Sequence, residues 1–194
     1  VYNHTNLSCM YPFKVFHRDP FLSNIGCRQS KRSSLYIKSK LQPDYVISSA
    51  LVRAIETASY MFPNKTVNVC PYICELNSSL ENKPYSFVVQ RERTKHLESC
   101  VHFPEIEYGS NKSSLRLFIK FLLQHFDCTK IFAVVSHSIF IMNILNIKEC
   151  VLNNSIYNVV IDSSTCDILS IDTIFSGYNI PKYLLTSESK RVFI

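Results

Sequence analysis

The stretch "DYVISSALVRAIETASYMF", residues 44–62, joins two patterns that together decide the fold. Its first part is a short β-branched run ending in two serines, which is typical of a buried strand. The pattern then becomes helical, with an apolar face formed by Leu51, Ala54, Ile55 and Ala58. Arg53 lies one turn into this helix. A strand followed at once by a helix predicts an α/β fold and raises the question of why an arginine stands there.

The rest of the chain alternates strands and helices in the same way. Further strands are predicted at "TVNV", "IFAVVS", "YNVVID" and "CDILSI", and further helices at "SSLRLFIKFLLQHF" and "SIFIMNILNI". Ser23 or Asn24 is the expected cap of a long helix near the start. The pattern predicts one domain over residues 1–194, an α/β three-layer sandwich with a mostly parallel sheet and helices on both faces. The region at about 77–112 looks irregular and is predicted to be a lid or insertion.

Composition narrows the classes of partner. The 194 residues are 46% hydrophobic, and no apolar run is long enough to suggest a membrane span. A net charge of +6 arises from 21 Lys+Arg against 15 Asp+Glu. Because the basic residues are scattered, a small anionic ligand is favoured over nucleic acid or a membrane surface.

The cysteines indicate the compartment. Eight are spread over the chain without the close spacing of a disulfide framework, which favours reduced thiols in a cytoplasmic protein. The triplets "NHT", "NLS", "NKT" and "NKS" fit N-glycosylation acceptors and keep a secreted protein as the alternative.

Polar residues follow apolar runs at the predicted strand ends. They are His4 after "VYN", Ser48, Ser49 and Arg53 after "DYVI", Glu75 after "VNVCPYIC" and His137 after "IFAVVS". The two serines are predicted to be turn and cap residues rather than ligands. Ligands of open α/β sheets bind outside the carboxyl ends of the strands, so these side chains are expected in one crevice. Arg53 would then bind an anion, whereas on a surface helix it would pair with Glu56.

This set of residue types suits phosphoryl transfer. A neutral imidazole can attack phosphorus and form a phosphohistidine, which splits one difficult displacement into two easier ones. A guanidinium matches the geometry of phosphate oxygens, and a carboxylic acid can protonate the leaving oxygen. The predicted chemistry needs no metal and no other cofactor, because arginine and imidazolium supply the positive charge.

Several segments also resemble a known family, the histidine phosphatase superfamily of phosphoglycerate mutase-like proteins. "DYVISSALVRAIETASYMF" and "IFAVVSHSIFIMNIL" are similar to the segments that carry its phosphate-binding arginine and its second histidine. "CELN" resembles the segment with its acid, "DPFLSNIGCRQS" its Asp-Pro-x-Leu stretch, and "LNNSIYNVVID" its late strand. The order is that of the family over most of the chain.

The resemblance implies roles for individual residues. His4 is the expected nucleophile, Glu75 the proton donor, and His137 and Arg53 phosphate ligands, with Ser8 at the usual Ser/Thr place one residue late. The family's opening Arg-His-Gly is altered, because Asn3 and Thr5 flank His4. Ser138 also replaces a glycine. Arg18, or else Arg28, is the candidate to replace the missing arginine.

Three functions follow in order of preference. The first is a phosphatase that hydrolyses a phosphomonoester of a small molecule or a phosphoprotein. The second is a weakened or inactive relative that binds a phosphorylated ligand, as the altered motif suggests. The third is a phosphoglycerate-type mutase, which ranks last because the irregular region is short. The oligomeric state is left open, with a homodimer as one option.

Two other patterns have competing interpretations. The spacing of His96, Cys100 and His102 fits a zinc site, although no second pair of ligands stands out. "QRERTKHLES" is predicted to be a solvated helix, and the alternative is that Arg91, Arg93 and Lys95 help a lid meet an anionic substrate.

Overall fold

Four parallel strands form the central sheet. The computed structural model describes residues 18–38, 40–76, 79–105, 113–149 and 151–178. The strands are β1 (Tyr45–Ser49), β2 (Val67–Cys70), β3 (Val101–His102) and β4 (Phe132–Val135), in the spatial order β3-β2-β1-β4. All three pairings between neighbours are parallel. The prediction of a mostly parallel sheet is therefore confirmed.

Helices cover both faces of this sheet. They are α1 (Asn24–Lys38), α2 (Val52–Met61), α3 (Phe87–Thr94), α4 (Leu115–His125) and α5 (Ser138–Leu145). Successive side chains of a strand point to opposite faces, so neighbouring residues of β1 enter different cores. Val46 packs in the core that contains α2, whereas Ile47 packs in the core formed with α4 and α5. The predicted three layers are thus present, and the central position of β1 explains its continuous apolar run.

Local signals set the helix starts. Ser23 Oγ accepts a hydrogen bond from the Gly26 backbone N–H at 3.3 Å, so Ser23 is the cap that the sequence indicated for α1. Helix α1 packs on α2. Helix α2 is buried almost all round, from Val52 to Ser59, because it lies between α1 and the sheet.

The two closing strands are correctly predicted as strands, but they pair with each other. β5 (Ile156–Ile161) and β6 (Ile168–Phe175) form an antiparallel hairpin. Its turn is held by the Asp162 carboxylate, which accepts hydrogen bonds from the Ser164 and Thr165 backbone N–H groups. Within the described ranges neither strand joins the central sheet, and no strand pairs with the outer edge of β4. An apolar groove of about 550 Å³ is lined by β4 and β5.

The region at 77–112 is more regular than the sequence suggested. It contains a short 3-10 turn, Leu80–Asn82, then α3 and then β3, which completes the central sheet beside β2. Residues 77–78 and 106–112 of this region lie outside the described ranges. The described part therefore extends the sheet by one strand and places a helix next to α2.

The described cysteines are free thiols. They are Cys27, Cys70, Cys74, Cys100, Cys128 and Cys166. Burial raises the pKa of Cys70 to about 12, so this side chain behaves as a small apolar core residue. None of the described helices is long and apolar enough to cross a membrane.

Candidate functional site

The carboxyl ends of the central strands bring His137 next to β1. His137 is fully buried and stands at the N-cap position of α5, two residues after the end of β4. Its Nε2 lies 2.7 Å from Ser49 Oγ, at the end of β1. Ser49 Oγ also lies 3.4 Å from Cys74 Sγ. One serine therefore links the residues that follow β1, β2 and β4.

Arg53 is buried at the same edge, with 2% of its surface exposed. Its Nη1 donates to the Glu81 carbonyl oxygen at 3.0 Å, and its Nη2 donates to Asn82 Oδ1 at 2.5 Å. No described residue accepts a hydrogen bond from its Nε. The alternative pairing with Glu56 is wrong, because that carboxylate binds the Leu22 N–H and His96 instead.

Glu75 lies beside this edge and is buried, with 7% of its surface exposed. It follows Cys74, and its Oε1 accepts a hydrogen bond from the Leu76 backbone N–H at 3.2 Å. The described structure thus places Arg53, Glu75 and His137 after β1, β2 and β4. Two further predicted site residues, His4 and Ser8, lie outside the described ranges.

Arg18 contacts residues 83–85, which directly follow the two residues that Arg53 contacts. Its Nε donates to the Lys83 carbonyl oxygen at 3.1 Å, and its Nη2 donates to the Pro84 carbonyl oxygen. The guanidinium also stacks over the Tyr85 ring at 4.5 Å. Arg28, the other arginine considered, is exposed on α1. Arg53 and Arg18 therefore contact neighbouring parts of the region at 81–85, whereas the predicted role of Arg18 in anion binding stays a prediction.

Another buried carboxylate, Asp19, lies close enough to Arg53 to feel its charge. Its Oδ1 accepts the Val52 backbone N–H at 2.9 Å, and its Oδ2 accepts hydrogen bonds from Gln90 Nε2 at 2.5 Å and Arg93 Nη1 at 3.0 Å. Burial raises the pKa of Asp19, and the positive charges of Arg53 and Arg93 oppose that rise. This carboxylate joins the loop before α1 to α2 and α3.

Helix α3 is less solvated than its charges suggested. Gln90 is fully buried, and the Arg93 side chain is 16% exposed. The Arg93 guanidinium lies 4.4 Å from the Phe21 ring centroid and 4.8 Å from that of Tyr85. The prediction of a solvated helix therefore holds for the exposed Arg91 and Lys95 but is wrong for Arg93.

The zinc interpretation gains no support from the described residues. Among them, no three His, Cys, Asp or Glu side chains come close enough together to hold a metal ion. His96, one of the three candidate ligands, lies 3.1 Å from a Glu56 carboxylate oxygen instead.

The contacts of Glu56 with the Leu22 N–H and His96 can be tested through the pH dependence of stability. Burial raises its pKa above the ordinary value of 4.5, although the Leu22 N–H, His96 and Arg93 favour the carboxylate. The unfolded chain ionises Glu56 near 4.5, whereas the folded protein keeps the carboxyl neutral until a higher pH. The stability that this group contributes is therefore fully present below the unfolded pKa and is lost as pH rises through the folded pKa.

We compare the free energy of unfolding of the wild type with that of Glu56→Gln. The advantage of the wild type should fall as pH rises from about 4 to about 8. The fall should be about 1.4 kcal/mol for each pH unit by which folding raises the pKa. Urea unfolding across this range measures it, with Glu98→Gln as an exposed control. A difference that stays constant or grows with pH would show that burial does not dominate at Glu56.

Sequence comparisons assign no family. No protein-family model and no curated protein matches the chain. Among solved structures, phosphoserine phosphatase from Entamoeba histolytica in complex with 3-phosphoglyceric acid is similar at 19% identity and a TM-score of 0.48, covering 86% of this chain and 88% of that chain. A mutant of phosphoserine phosphatase from the same organism, in complex with phosphoserine, gives 20% identity and a TM-score of 0.49, over 79% of this chain and 84% of that chain. At this similarity, activity has to be argued from the side chains.

Proposed function

We propose that the protein is a phosphatase that hydrolyses a phosphomonoester through a phosphohistidine intermediate. The observation that carries the proposal is the burial of the Arg53 guanidinium at the carboxyl edge of a parallel sheet. A buried charge is costly unless it is paired. Asp19, the carboxylate whose pKa responds to Arg53, is already ion-paired with Arg93. Arg53, Arg93 and an ionised Asp19 together keep one net positive charge, and an anionic ligand would balance it.

The neighbouring groups favour phosphate over other anions. Arg53 offers a planar set of donors, and its Nε is buried without an acceptor among the described residues. His137 lies at the same edge, where an imidazolium would add a donor to the equatorial oxygens. A buried carboxyl group, Glu75, follows β2 and suits proton transfer to an ester oxygen.

The proposed reaction has two steps. A neutral imidazole nitrogen of His4 attacks phosphorus and forms a P–N bond while the P–O bond to the alcohol breaks, and Glu75 gives its proton to the departing oxygen. Water then attacks the phosphohistidine and transfers a proton to the Glu75 carboxylate. The P–N bond breaks, and inorganic phosphate leaves with His4 restored.

The proposal requires His4 to reach the carboxyl edge of the sheet. The outer edge of β4 has no strand partner within the described ranges and borders an apolar groove. Two apolar residues and Asn3 precede His4 in the sequence. A parallel strand added at the outer edge of β4 would end at the same carboxyl edge, where His137 lies.

A binding protein is the second candidate, and two observations favour it. Two of the five N–H donors of Arg53 already have acceptors in Glu81 and Asn82, so fewer donors remain for an anion. Asn3 also stands where the resembling family has an arginine. A pocket that holds a phosphorylated small molecule or phosphoprotein without hydrolysing it would tolerate both features.

The test is turnover of p-nitrophenyl phosphate by the purified chain, with and without EDTA. We expect release of phosphate that EDTA leaves unchanged, together with an acid-labile phosphoryl label on the protein after quenching with alkali. If there is no turnover but orthovanadate still binds through Arg53, the binding protein is the better account. If neither turnover nor vanadate binding occurs, both candidates fail.

A further inference from the structure

We propose that Asp19 is a positioning residue that fixes the Arg53 guanidinium in the candidate site, and that Gln90 and Arg93 of α3 hold Asp19 for this task. The inference deepens the proposed phosphatase, on which its relevance to catalysis rests.

The first contact joins Asp19 to the start of the helix that carries Arg53. The first N–H groups of a helix lack partners within it, and Leu51 at the cap of α2 makes no side-chain bond to them. Asp19 Oδ1 accepts the Val52 N–H at 2.9 Å, one residue before Arg53. A carboxylate at this end also opposes the positive end of the helix dipole. Asp19 therefore fixes the turn from which the Arg53 side chain starts.

The remaining contacts leave Asp19 little freedom to move. Gln90 Nε2 donates to Asp19 Oδ2 at 2.5 Å and also lies 2.6 Å from the Ala50 carbonyl oxygen. Arg93 bridges two oxygens of Asp19, with Nη1 on Oδ2 at 3.0 Å and Nη2 on the backbone carbonyl at 2.5 Å. Both donors come from α3, so this helix is coupled to the site through one carboxylate.

The backbone of Asp19 supports a special role. Its φ of 43° lies in the left-handed region, which costs energy for most residues and is best tolerated by Gly, Asn and Asp. Such a conformation persists where the surrounding structure over-determines it. Here the side chain and the backbone carbonyl of the same residue are both held by Arg93.

Asp19→Asn is the informative substitution, because it keeps the size of the side chain but removes its charge and one acceptor. The direct measurement is the Arg53 Nε–H signal in a ¹⁵N NMR spectrum, assigned by its absence in Arg53→Lys. We expect solvent exchange of this proton to accelerate by about tenfold or more in Asp19→Asn, since the guanidinium loses its fixed place. Asp44→Asn is the matched control: Asp44 also accepts one backbone N–H, that of Ile131 at 2.9 Å, but stands at the amino end of β1.

A purely structural role for Asp19 would lower stability but leave the Arg53 signal of the folded protein unchanged, and that result would overturn the inference. If Asp19→Asn does not fold, Arg93→Lys decides. It keeps the charge on a partly exposed side chain but cannot bridge both Asp19 oxygens, and an unchanged Arg53 signal there would also overturn the inference.

Steady-state kinetics separate this inference from the proposed phosphatase. A displaced Arg53 should raise KM for an anionic substrate and lower kcat, so that kcat/KM falls by about tenfold or more, whereas the loss of one negative charge alone would leave KM unchanged or lower. An enzyme that never turns over would end the proposed function. The NMR result would still decide the role of Asp19.

Discussion

Replacing Arg53 by Met should raise the dissociation constant for inorganic phosphate at least about 100-fold and lower kcat/KM by about 10² to 10³. The reason is that Arg53 is the buried cation at the carboxyl edge of the sheet, and a methionine of similar volume offers no donor. Isothermal titration with phosphate and turnover of p-nitrophenyl phosphate measure the two effects. Arg53→Lys should lose most of the same binding, because an ammonium keeps the charge but not the planar fork.

The free energy of unfolding should change less than the free energy of phosphate binding. Removing a buried charge relieves its desolvation, while the Glu81 carbonyl and Asn82 Oδ1 lose their donor, so we expect a net change within about 2 kcal/mol. Arg116→Met, the same substitution on an exposed position of α4, is the control and should alter neither quantity. Phosphate binding that survives Arg53→Met would show that the anion lies elsewhere.

The central part of the fold follows from local patterns. The run that becomes β1 has apolar residues in succession, followed by two small serines, because the strand is buried on both faces, and the small and branched residues after it form α2. The end of β4 is equally predictable from the sequence, since the apolar run "IFAVV" stops just before Ser136 and His137. By contrast, the pairing of β5 with β6 depends on long-range packing that strand propensity does not encode.

The polar contacts of the site were harder to foresee. Ser49 reads as a turn or cap residue, and it does accept the Leu51 N–H at 3.3 Å. Its contact with His137 joins residues far apart in the sequence, and no local pattern signals it. The sequence therefore indicated which strand ends carry function but not which side chain connects them.

The contacts between Asp19 and α3 are also long-range, and local sequence patterns predict them even less well. Arg93 is predicted to be solvated in "QRERTKHLES" because a charged helix usually is, whereas pairing with the distant Asp19 offsets the cost of its partial burial. The one available signal was the "DPFLSNIGCRQS" stretch, which matches a family motif that begins at Asp19. The match to this motif marks the segment as important, but it does not show that Asp19 supports Arg53.

His4→Ala should have the largest effect on turnover. If His4 is the nucleophile, its loss removes the covalent route, and we expect kcat to fall about 10⁴-fold or more, by analogy with other enzymes that lose a nucleophile. Binding of inorganic phosphate should change much less, because the donors of Arg53 remain. The label on the quenched protein should disappear together with turnover.

His102→Ala is the matched control, since His102 is exposed on β3 and belongs to the zinc interpretation rather than to the phosphohistidine route. Under the proposed mechanism it should leave turnover and the label intact, with or without EDTA. Activity that survives His4→Ala but is lost in His102→Ala and on chelation would contradict the mechanism, because the attacking group would then have to be a metal-activated water. Arg53 would still be needed in that case to hold the phosphate, so the pair of histidine variants, and not Arg53→Met, distinguishes the two chemistries.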